Sequence, residues 1–190
     1  MGKTDVRIQF TRKMLRDSLL TRMKEKSIQD ISVKEICESA GLSRSTFYTY
    51  YKDQYDLLGQ MEEDIFIDLD DFIRKYMPVK EMPPFRELTV LIEDILRYIT
   101  GGTNSIQILL SENDTNSFRR KFARYFFGRM RELKNIQGRP VPDERTLKYY
   151  ATFVRDGCIA ILQEWIKSGM DIEVRDLAKL LARLIRGVLG

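Results

Sequence analysis

Hydrophobic residues recur every three or four positions along most of this chain, which is the period of an amphipathic helix. The pattern predicts long helices over 4–24, 53–76, 85–100, 115–136, 147–169 and 174–188, with a shorter apolar piece over 105–110. The inner face of the first helix is predicted to carry Ile8, Leu15, Leu19 and Met23, with Phe10 and Met14 beside it. Pro78 and the Pro83–Pro84 pair interrupt the pattern and mark a connection. An all-α fold follows from this reading.

The segment between the first two long helices predicts two short helices joined by a tight turn. Ser32 followed by Glu35 is the sequence of a capping box at the start of the first one. Gly41 stands where that helix needs a left-handed residue, because glycine adopts this conformation without a Cβ clash. Ser43 is a second N-cap and opens a helix over 44–51.

The second short helix has an apolar side and a polar side. Phe47 and Tyr51 are predicted to turn inward with Leu42. The residues left outside are Arg44, Ser45, Thr46, Tyr48 and Thr49. Hydroxyls and a guanidinium without a carboxylate suit phosphates and base edges. The arrangement predicts a helix-turn-helix, although the spacing alone is equally typical of a helical hairpin in an ordinary bundle.

The residues themselves carry a resemblance that favours the first alternative. Residues 40–48 read AGLSRSTFY, and YYKD at 50–53 and the pair Leu57–Leu58 follow. Together they resemble, in register, the DNA-binding signature of the tetracycline-repressor (TetR) family. Ser45 departs from the glycine often found at its position, and Gln54 replaces a lysine that often contacts phosphate.

The resemblance implies a specific organisation. A three-helix helix-turn-helix DNA-binding domain is expected over 1–55, and a helical ligand-binding and dimerisation domain over 56–190. The expected DNA-contacting residues are Ser32, Lys34, Arg44, Ser45, Thr46, Tyr48, Thr49, Tyr50 and Lys52. Lys52 would carry the phosphate contact that Gln54 cannot make. The implied partners are a roughly palindromic double-stranded DNA operator, a small-molecule effector and a second copy of the chain.

The distribution of charge agrees with DNA binding by the N-terminal part. Residues 1–52 hold eleven Lys and Arg against six Asp and Glu, a balance of +5, so the remainder carries −1 of the total of +4. A positive field over the first segment attracts nucleic acid.

Several kinds of chemistry are disfavoured by composition. The chain has no histidine, which removes Ser-His-Asp and Cys-His catalysis and histidine metal sites. The carboxylates between Glu62 and Asp71 are predicted to form a solvated helix face rather than an acid–base site. We therefore expect no enzyme, no cofactor and no metal. Cys37 and Cys158 are predicted to be reduced core residues of a cytoplasmic protein. The first ten residues lack the apolar core of a signal peptide, and no run approaches the length of a membrane span.

The last two predicted helices carry apolar seams that predict packing against each other and against a second copy. In the TetR family, the last two helices form a four-helix dimer interface. The expected interface residues are Val154, Cys158, Ile161, Trp165, Leu177, Leu181 and Leu184.

Two further predictions concern the helical body. Aromatic and basic residues alternate over 115–136, and their helical spacing favours an aromatic core stripe with a basic outer face over a second nucleic-acid surface. Candidate walls of an effector pocket, although each position is more typical of plain core, are Phe66, Tyr98, Phe122, Phe126, Tyr149 and Phe153. The expected function is transcriptional repression released by a small molecule. The alternative is a coactivator that acts mainly through a protein partner.

Overall fold

The computed structural model describes residues 3–77, 81–101, 105–109, 117–136 and 138–189. Within these ranges the α-helices are α1 Lys3–Met23, α2 Val33–Ala40, α3 Arg44–Tyr50, α4 Gln54–Tyr76, α5 Phe85–Gly101, α6 Ser105–Leu109, α7 Ser117–Glu132, α8 Glu144–Lys167 and α9 Val174–Leu189. A 3-10 turn, Ile28–Asp30, precedes α2. The prediction of an all-α fold is confirmed. Among the helices described, none is long and apolar enough to cross a membrane.

A short β-hairpin replaces the end of the helix predicted over 115–136. Helix α7 stops at Glu132, and the strands β1 Asn135–Ile136 and β2 Arg139–Pro140 pair antiparallel. Gly138 in the turn has a φ of 77°, a conformation that suits glycine. The prediction was wrong at this point because Ile136 is buried in the hairpin, and apolar spacing alone does not distinguish a buried strand residue from a buried helix residue. Residues 110 and 115, where two predicted elements ended or began, lie outside the described ranges.

The N-terminal helices enclose a small core. Leu15, Leu19, Ile36 and Phe47 are completely buried there, and each contributes roughly 1.5–3 kcal/mol by leaving water. The hydroxyl of Ser18 donates to the buried Ile36 carbonyl at 2.8 Å, which satisfies both polar groups. The start of α1 stands clear of this core. Ile8 and Phe10, predicted on or beside the inner face, are therefore 36% and 62% exposed.

The apolar core of the N-terminal helices continues into the body. The same cluster includes Leu19 and Phe47, Leu57 at the start of α4, and Leu109 and Phe118 from the helices beyond. The predicted boundary between residues 55 and 56 therefore falls within a continuous core. Helix α4, with its first turns in the N-terminal part and its last turns in the body, connects the two.

The acidic run of α4 contacts neighbouring helices. Four of its six carboxylates bond to other elements, whereas Glu63, Asp64 and Asp71 are exposed, so the prediction of a solvated face was only partly correct. The contacts run from Lys121 to Glu62, from Arg16 to Asp64, from Tyr98 to Asp68, and from Tyr125 and Arg129 to Asp70. Helix α4 is thereby joined by charge or hydrogen bonds to α1, α5 and α7.

Candidate nucleic-acid interface and ligand cavity

Helix α2 begins with the predicted capping box. The Ser32 hydroxyl accepts from the Glu35 backbone N–H at 3.3 Å, and the Glu35 carboxylate accepts from the Ser32 N–H at 2.9 Å. Lys26 also donates to Glu35 at 2.5 Å. The hydrogen bond from Lys26 and those from Ser32 lower the pKa of Glu35 to about 2. The start of α2 is therefore fixed by an ionised carboxylate.

The turn between α2 and α3 depends on Gly41. Its φ of 65° and ψ of 30° lie in the left-handed region, and its N–H donates to the carbonyls of Cys37 and Glu38. The Leu42 N–H also donates to the Cys37 carbonyl at 2.9 Å, which completes the hydrogen bonding at the end of α2. No atom lies within 4 Å of the place where a Cβ would stand. Backbone conformation, rather than space, is therefore what requires glycine.

Helix α3 is anchored through its inward side. The Ser43 hydroxyl accepts from the Thr46 N–H at 3.1 Å and caps the helix. Phe47 is completely buried and Tyr51 is 2% exposed, while Leu42 is half-buried against them, as predicted. Arg12 of α1 donates to the Tyr51 hydroxyl at 3.2 Å. Packing and hydrogen bonding thus orient α3 relative to α1.

The outward side of α3 is polar and has no carboxylate. The exposed predicted contact residues are Ser32, Lys34, Arg44, Ser45, Tyr48, Thr49 and Lys52, whereas Thr46 and Tyr50 are half-buried. Tyr50 packs against the core cluster, with its ring centroid 6.4 Å from that of Tyr51. The structure therefore places Tyr50 on the inner edge of the helix. The Thr49 hydroxyl donates to the Ser45 carbonyl at 3.0 Å, so its oxygen remains available as an acceptor.

A shallow cleft brings α2 and α3 together. Ser32 and Lys34 from the start of α2 line it with Arg44 and Tyr48 from α3 and with Gln54 from the start of α4. The sequence could have added Gln54 to the predicted DNA-contacting residues, because Gln54 directly follows Asp53, the residue that caps α4. The cleft carries two cationic side chains and exposed hydroxyls, which is the chemistry that contacts DNA phosphates, together with one acidic residue, Asp30, before α2.

The junction of α3 with α4 is held by hydrogen bonds. Asp53 caps α4 by accepting from the Asp56 N–H at 2.8 Å, and Asp56 accepts from the Lys52 N–H at 2.9 Å. The Lys52 N–H lowers the pKa of Asp56 by bonding to its ionised form. Arg12 donates to Gln60 on α4 at 3.0 Å. The exposed end of α3 is therefore fixed to the helix that leads into the body.

An apolar cavity of about 420 Å³ lies within the body, with walls from α4, α5, α7, α8 and α9. Phe122 and Phe126 line it, as predicted. Two other predicted wall residues do not line the cavity. The ring of Phe66 stacks on that of Phe118 with 5.6 Å between their centroids, and the Tyr98 hydroxyl donates to the Asp68 carboxylate at 2.5 Å.

Two predicted wall residues are far from the cavity. Tyr149 and Phe153 are 68% and 65% exposed on the outer face of α8, so their assignment to a pocket wall was wrong. Tyr149 and Phe153 are four residues apart and share one face of α8, but that face points outward. Sequence spacing identifies a helix face without identifying what covers it.

The charged residues among the described lining are Arg74, Arg129 and Glu132, whose side chains are partly exposed and form the rim of the cavity. Arg74 donates to Asp71 at 2.7 Å, while Arg129 lies 3.3 Å from Asp70 and 3.1 Å from Glu132. The Tyr125 hydroxyl donates to Asp70 at 2.6 Å, and burial, followed by this contact, raises the pKa of Tyr125. Both guanidiniums of the rim are therefore already in contact with carboxylates.

Most of the predicted dimer-interface residues belong to the core of a single chain. Val154, Trp165, Leu177 and Leu181 are at most 4% exposed, because α9 packs along α5 and against α8. They have almost no surface left to bury against a partner, so their assignment is corrected to the interior. Cys158 and Ile161 are half-buried, and Leu184 is 46% exposed.

A different part of α8 and α9 offers an apolar outer face. A groove there is lined by Thr146, Tyr149, Tyr150, Thr152, Phe153, Asp156, Gly157 and Val188. Leu180 and Leu184 are exposed on α9 as well. The repetition of large apolar residues at 149 and 153, followed by Gly157, was the sequence signal for this face. It was missed because these aromatics were assigned to the pocket.

The geometry defines a helix-turn-helix DNA-binding protein with a helical, cavity-containing body. Comparison with known families agrees: a TetR model described as a transcriptional regulator C-terminal region matches residues 87–187. Because that match covers more than half of the chain, this protein belongs to the TetR family of transcriptional regulators.

Individual proteins show the same relationship. The chain is 23% identical over 188 residues to an HTH-type transcriptional regulator of Haemophilus influenzae, covering 97% of this chain and 89% of that protein. Its fold is similar to that of NalD, a secondary repressor of a multidrug efflux pump in Pseudomonas aeruginosa, with a TM-score of 0.69, 15% identity, and coverage of 96% and 98%. It is also similar to Bacillus subtilis FadR in complex with stearoyl-CoA, with a TM-score of 0.62, 14% identity, and coverage of 94% and 99%.

Proposed function

We propose that this protein represses transcription by binding a roughly palindromic operator as a homodimer, and that a small molecule in the cavity releases the DNA. The observation that carries the proposal is the exposed, carboxylate-free side of α3 beside the start of α2. NalD is described as a repressor, and the FadR structure contains a small molecule, which supports both parts of the proposal. The proposed function involves no catalytic step.

The roles of the contact residues follow from their positions. Arg44 and Thr49 are exposed on α3 and are assigned to base edges in the major groove. Tyr48 and Lys52 are assigned to phosphates, together with Ser32 and Lys34 of α2, since such contacts position a protein without reading sequence. Ser45 and Thr46 border the same face.

A second copy is needed because one short helix covers little DNA. Helix-turn-helix dimers place their heads about 34–36 Å apart, so that both enter the groove from one side of the duplex. We assign the dimer contact to the exposed apolar face of α8 and α9, with Tyr149, Phe153 and Leu184 as its large residues. Gly157 lets the two helices approach closely.

The effector would act through α4. Leu57 and Leu58 at its start pack with the N-terminal core, whereas Ile65, Leu69 and Ile73 further along line the cavity. A molecule in the cavity that favours a different position of α4 changes the separation of the two heads. Such a ligand shifts the equilibrium only by its difference in affinity for the two positions.

The test is binding to DNA fragments from around the protein's own gene, measured by fluorescence anisotropy across a salt series. Arg44→Ala and Thr49→Ala should each relax preference at one base position by about 1–3 kcal/mol. Tyr48→Ala and Lys52→Ala should weaken binding to all sequences alike, and Lys52→Ala should reduce the salt slope by about one. Lys167→Ala, an exposed lysine at the end of α8, is the control.

Parental affinity and salt slope in all four variants would contradict the assignment, and failure to bind any fragment would favour the coactivator alternative.

A further inference from the structure

The cavity is apolar well beyond its mouth. Among the described residues, most of those that line it are aliphatic or aromatic, with Ile92, Ile95 and Phe122 as examples. The thiol of Cys158 also lines it, and burial raises the pKa of this thiol to about 11, so it is uncharged at neutral pH. A charged group placed against these walls would lose its hydration without gaining a partner.

The rim does not offer a site for an anion. Its two guanidiniums, Arg74 and Arg129, are already paired with the carboxylates of Asp70, Asp71 and Glu132. An acidic headgroup would have to displace a carboxylate from one of the arginines and would then lie beside it. Breaking such a pair costs free energy that the incoming anion must replace.

The size of the cavity sets the scale of its occupant. A volume of about 420 Å³ lies within the roughly 300–1,000 Å³ of small-molecule sites.

We infer that the effector is an uncharged lipophilic molecule of about this size, and that the corresponding acid anion is discriminated against. The inference rests on the proposed function, because it names the ligand of the same cavity. It separates this chain from FadR, whose bound stearoyl-CoA carries anionic phosphates.

A matched pair of competitors tests the sign of the discrimination. The purified protein is titrated with N-phenyl-1-naphthylamine, an uncharged dye that fluoresces in apolar surroundings, and the dye is then displaced with 1-decanol or with decanoate at pH 8. The two competitors differ only in the headgroup, and the acid is ionised at this pH. Decanol should displace the dye at a concentration at least about tenfold lower. Equal or stronger displacement by decanoate would overturn the inference.

Variants show whether the probe occupies this cavity. Leu162→Trp places a large side chain in the wall and should reduce dye affinity at least about tenfold, whereas Val90→Trp, on an exposed position of α5, should leave it unchanged. Ile95→Phe replaces the first variant if circular dichroism shows that Leu162→Trp is unfolded. Dye binding that is unaltered by a folded wall variant would overturn the inference.

Operator release distinguishes the two proposals. If decanol binds in the cavity and the operator stays bound, the proposed switch fails while the ligand class stands. If decanoate binds preferentially and releases the operator, the switch stands and the ligand class fails.

Discussion

A single carboxylate joins the segment before α2 to the helix itself. Glu35 accepts from both the N–H and the hydroxyl of Ser32, and it pairs with Lys26 across nine residues of chain. All of these contacts favour the ionised carboxylate, which is why its pKa is lowered to about 2. Stability at the start of the helix-turn-helix therefore depends on the charge of one residue.

This charge predicts a specific dependence of stability on pH. The pKa of Glu35 is lowered on folding from 4.5 to about 2, so its contribution is complete above pH 4.5 and is lost as the pH falls towards 2. Glu35→Gln should remove that part of the profile. Urea midpoints measured between pH 2 and pH 6 should fall less steeply for Glu35→Gln than for the parent. Glu38→Gln, an exposed neighbour on α2, is the matched control and should retain the parental slope.

Gly41 gives a second prediction for single residues. Gly41→Val forces a β-branched residue to a φ of 65°, at a cost of about 1–3 kcal/mol, and should misplace α3 so that operator affinity is lost. Gly41→Asn should retain most of the affinity, because asparagine tolerates this conformation and the space around the Cβ is open. Anisotropy with the operator, together with circular dichroism, measures both. A valine variant that binds like the parent would show that α3 does not depend on this turn.

Helix α7 shows how two stripes of one helix serve different neighbours. Phe118, Phe122 and Phe126 face the cavity. Lys121, Tyr125 and Arg129 form the adjacent stripe and contact carboxylates of α4. Periodicity predicted the aromatic stripe correctly and assigned the basic residues to solvent. That assignment was wrong for Lys121 and Arg129, because the pairing of charges between helices depends on their packing and leaves no periodic signal.

The pair between Lys121 and Glu62 gives a prediction for this helix contact. Glu62 is 1% exposed, so Lys121→Met would remove an ion pair from a buried carboxylate. The cost should be about 2–3 kcal/mol, less than for a fully buried pair, since Lys121 is 33% exposed. Urea unfolding at fixed protein concentration measures it. The exposed neighbour Arg120→Met should change stability by less than about 0.5 kcal/mol. Equal stabilities for the two variants would mean that the pair does not hold α7 to α4.

Local signals account for what the sequence predicted. The caps at Ser32, Ser43 and Asp53 and the turn at Gly41 depend on residues within a few positions, and the structure contains all of them. The outer face of α8 was mistaken for a pocket wall because burial depends on neighbours that are distant in sequence. The sequence did not predict the hairpin after α7, because its strands are only two residues long and leave no pattern to recognise.

At the scale of the whole molecule, the two sides of α8 and α9 have different roles. One side carries Trp165 and Leu181 into the core against α5, and the Trp165 indole donates to the Ile172 carbonyl at 2.9 Å. The other side exposes Tyr149, Phe153 and Leu184. The apolar seam visible in the sequence is therefore mainly the internal one.

This division predicts opposite outcomes for two substitutions. Phe153→Arg changes a residue that is 65% exposed, so it should give a folded monomer with a melting temperature close to the parent's and weakened operator binding. Leu181→Glu places a charge in the core and should cause unfolding. Sedimentation velocity and circular dichroism distinguish the results. A Phe153→Arg protein that remains dimeric at micromolar concentration would place the dimer contact elsewhere.

The apolar cluster that runs from Leu19 and Phe47 to Leu109 and Phe118 has a consequence for genetics. Because the helix-turn-helix shares a core with the body, loosening the body also loosens α3. If the protein represses transcription as proposed, a selection for alleles that no longer silence a reporter gene will therefore recover substitutions throughout this cluster as well as on α3. The two kinds of allele will differ in temperature dependence. Cluster alleles will regain silencing when the cells are grown cooler, whereas alleles that remove a DNA contact will stay defective.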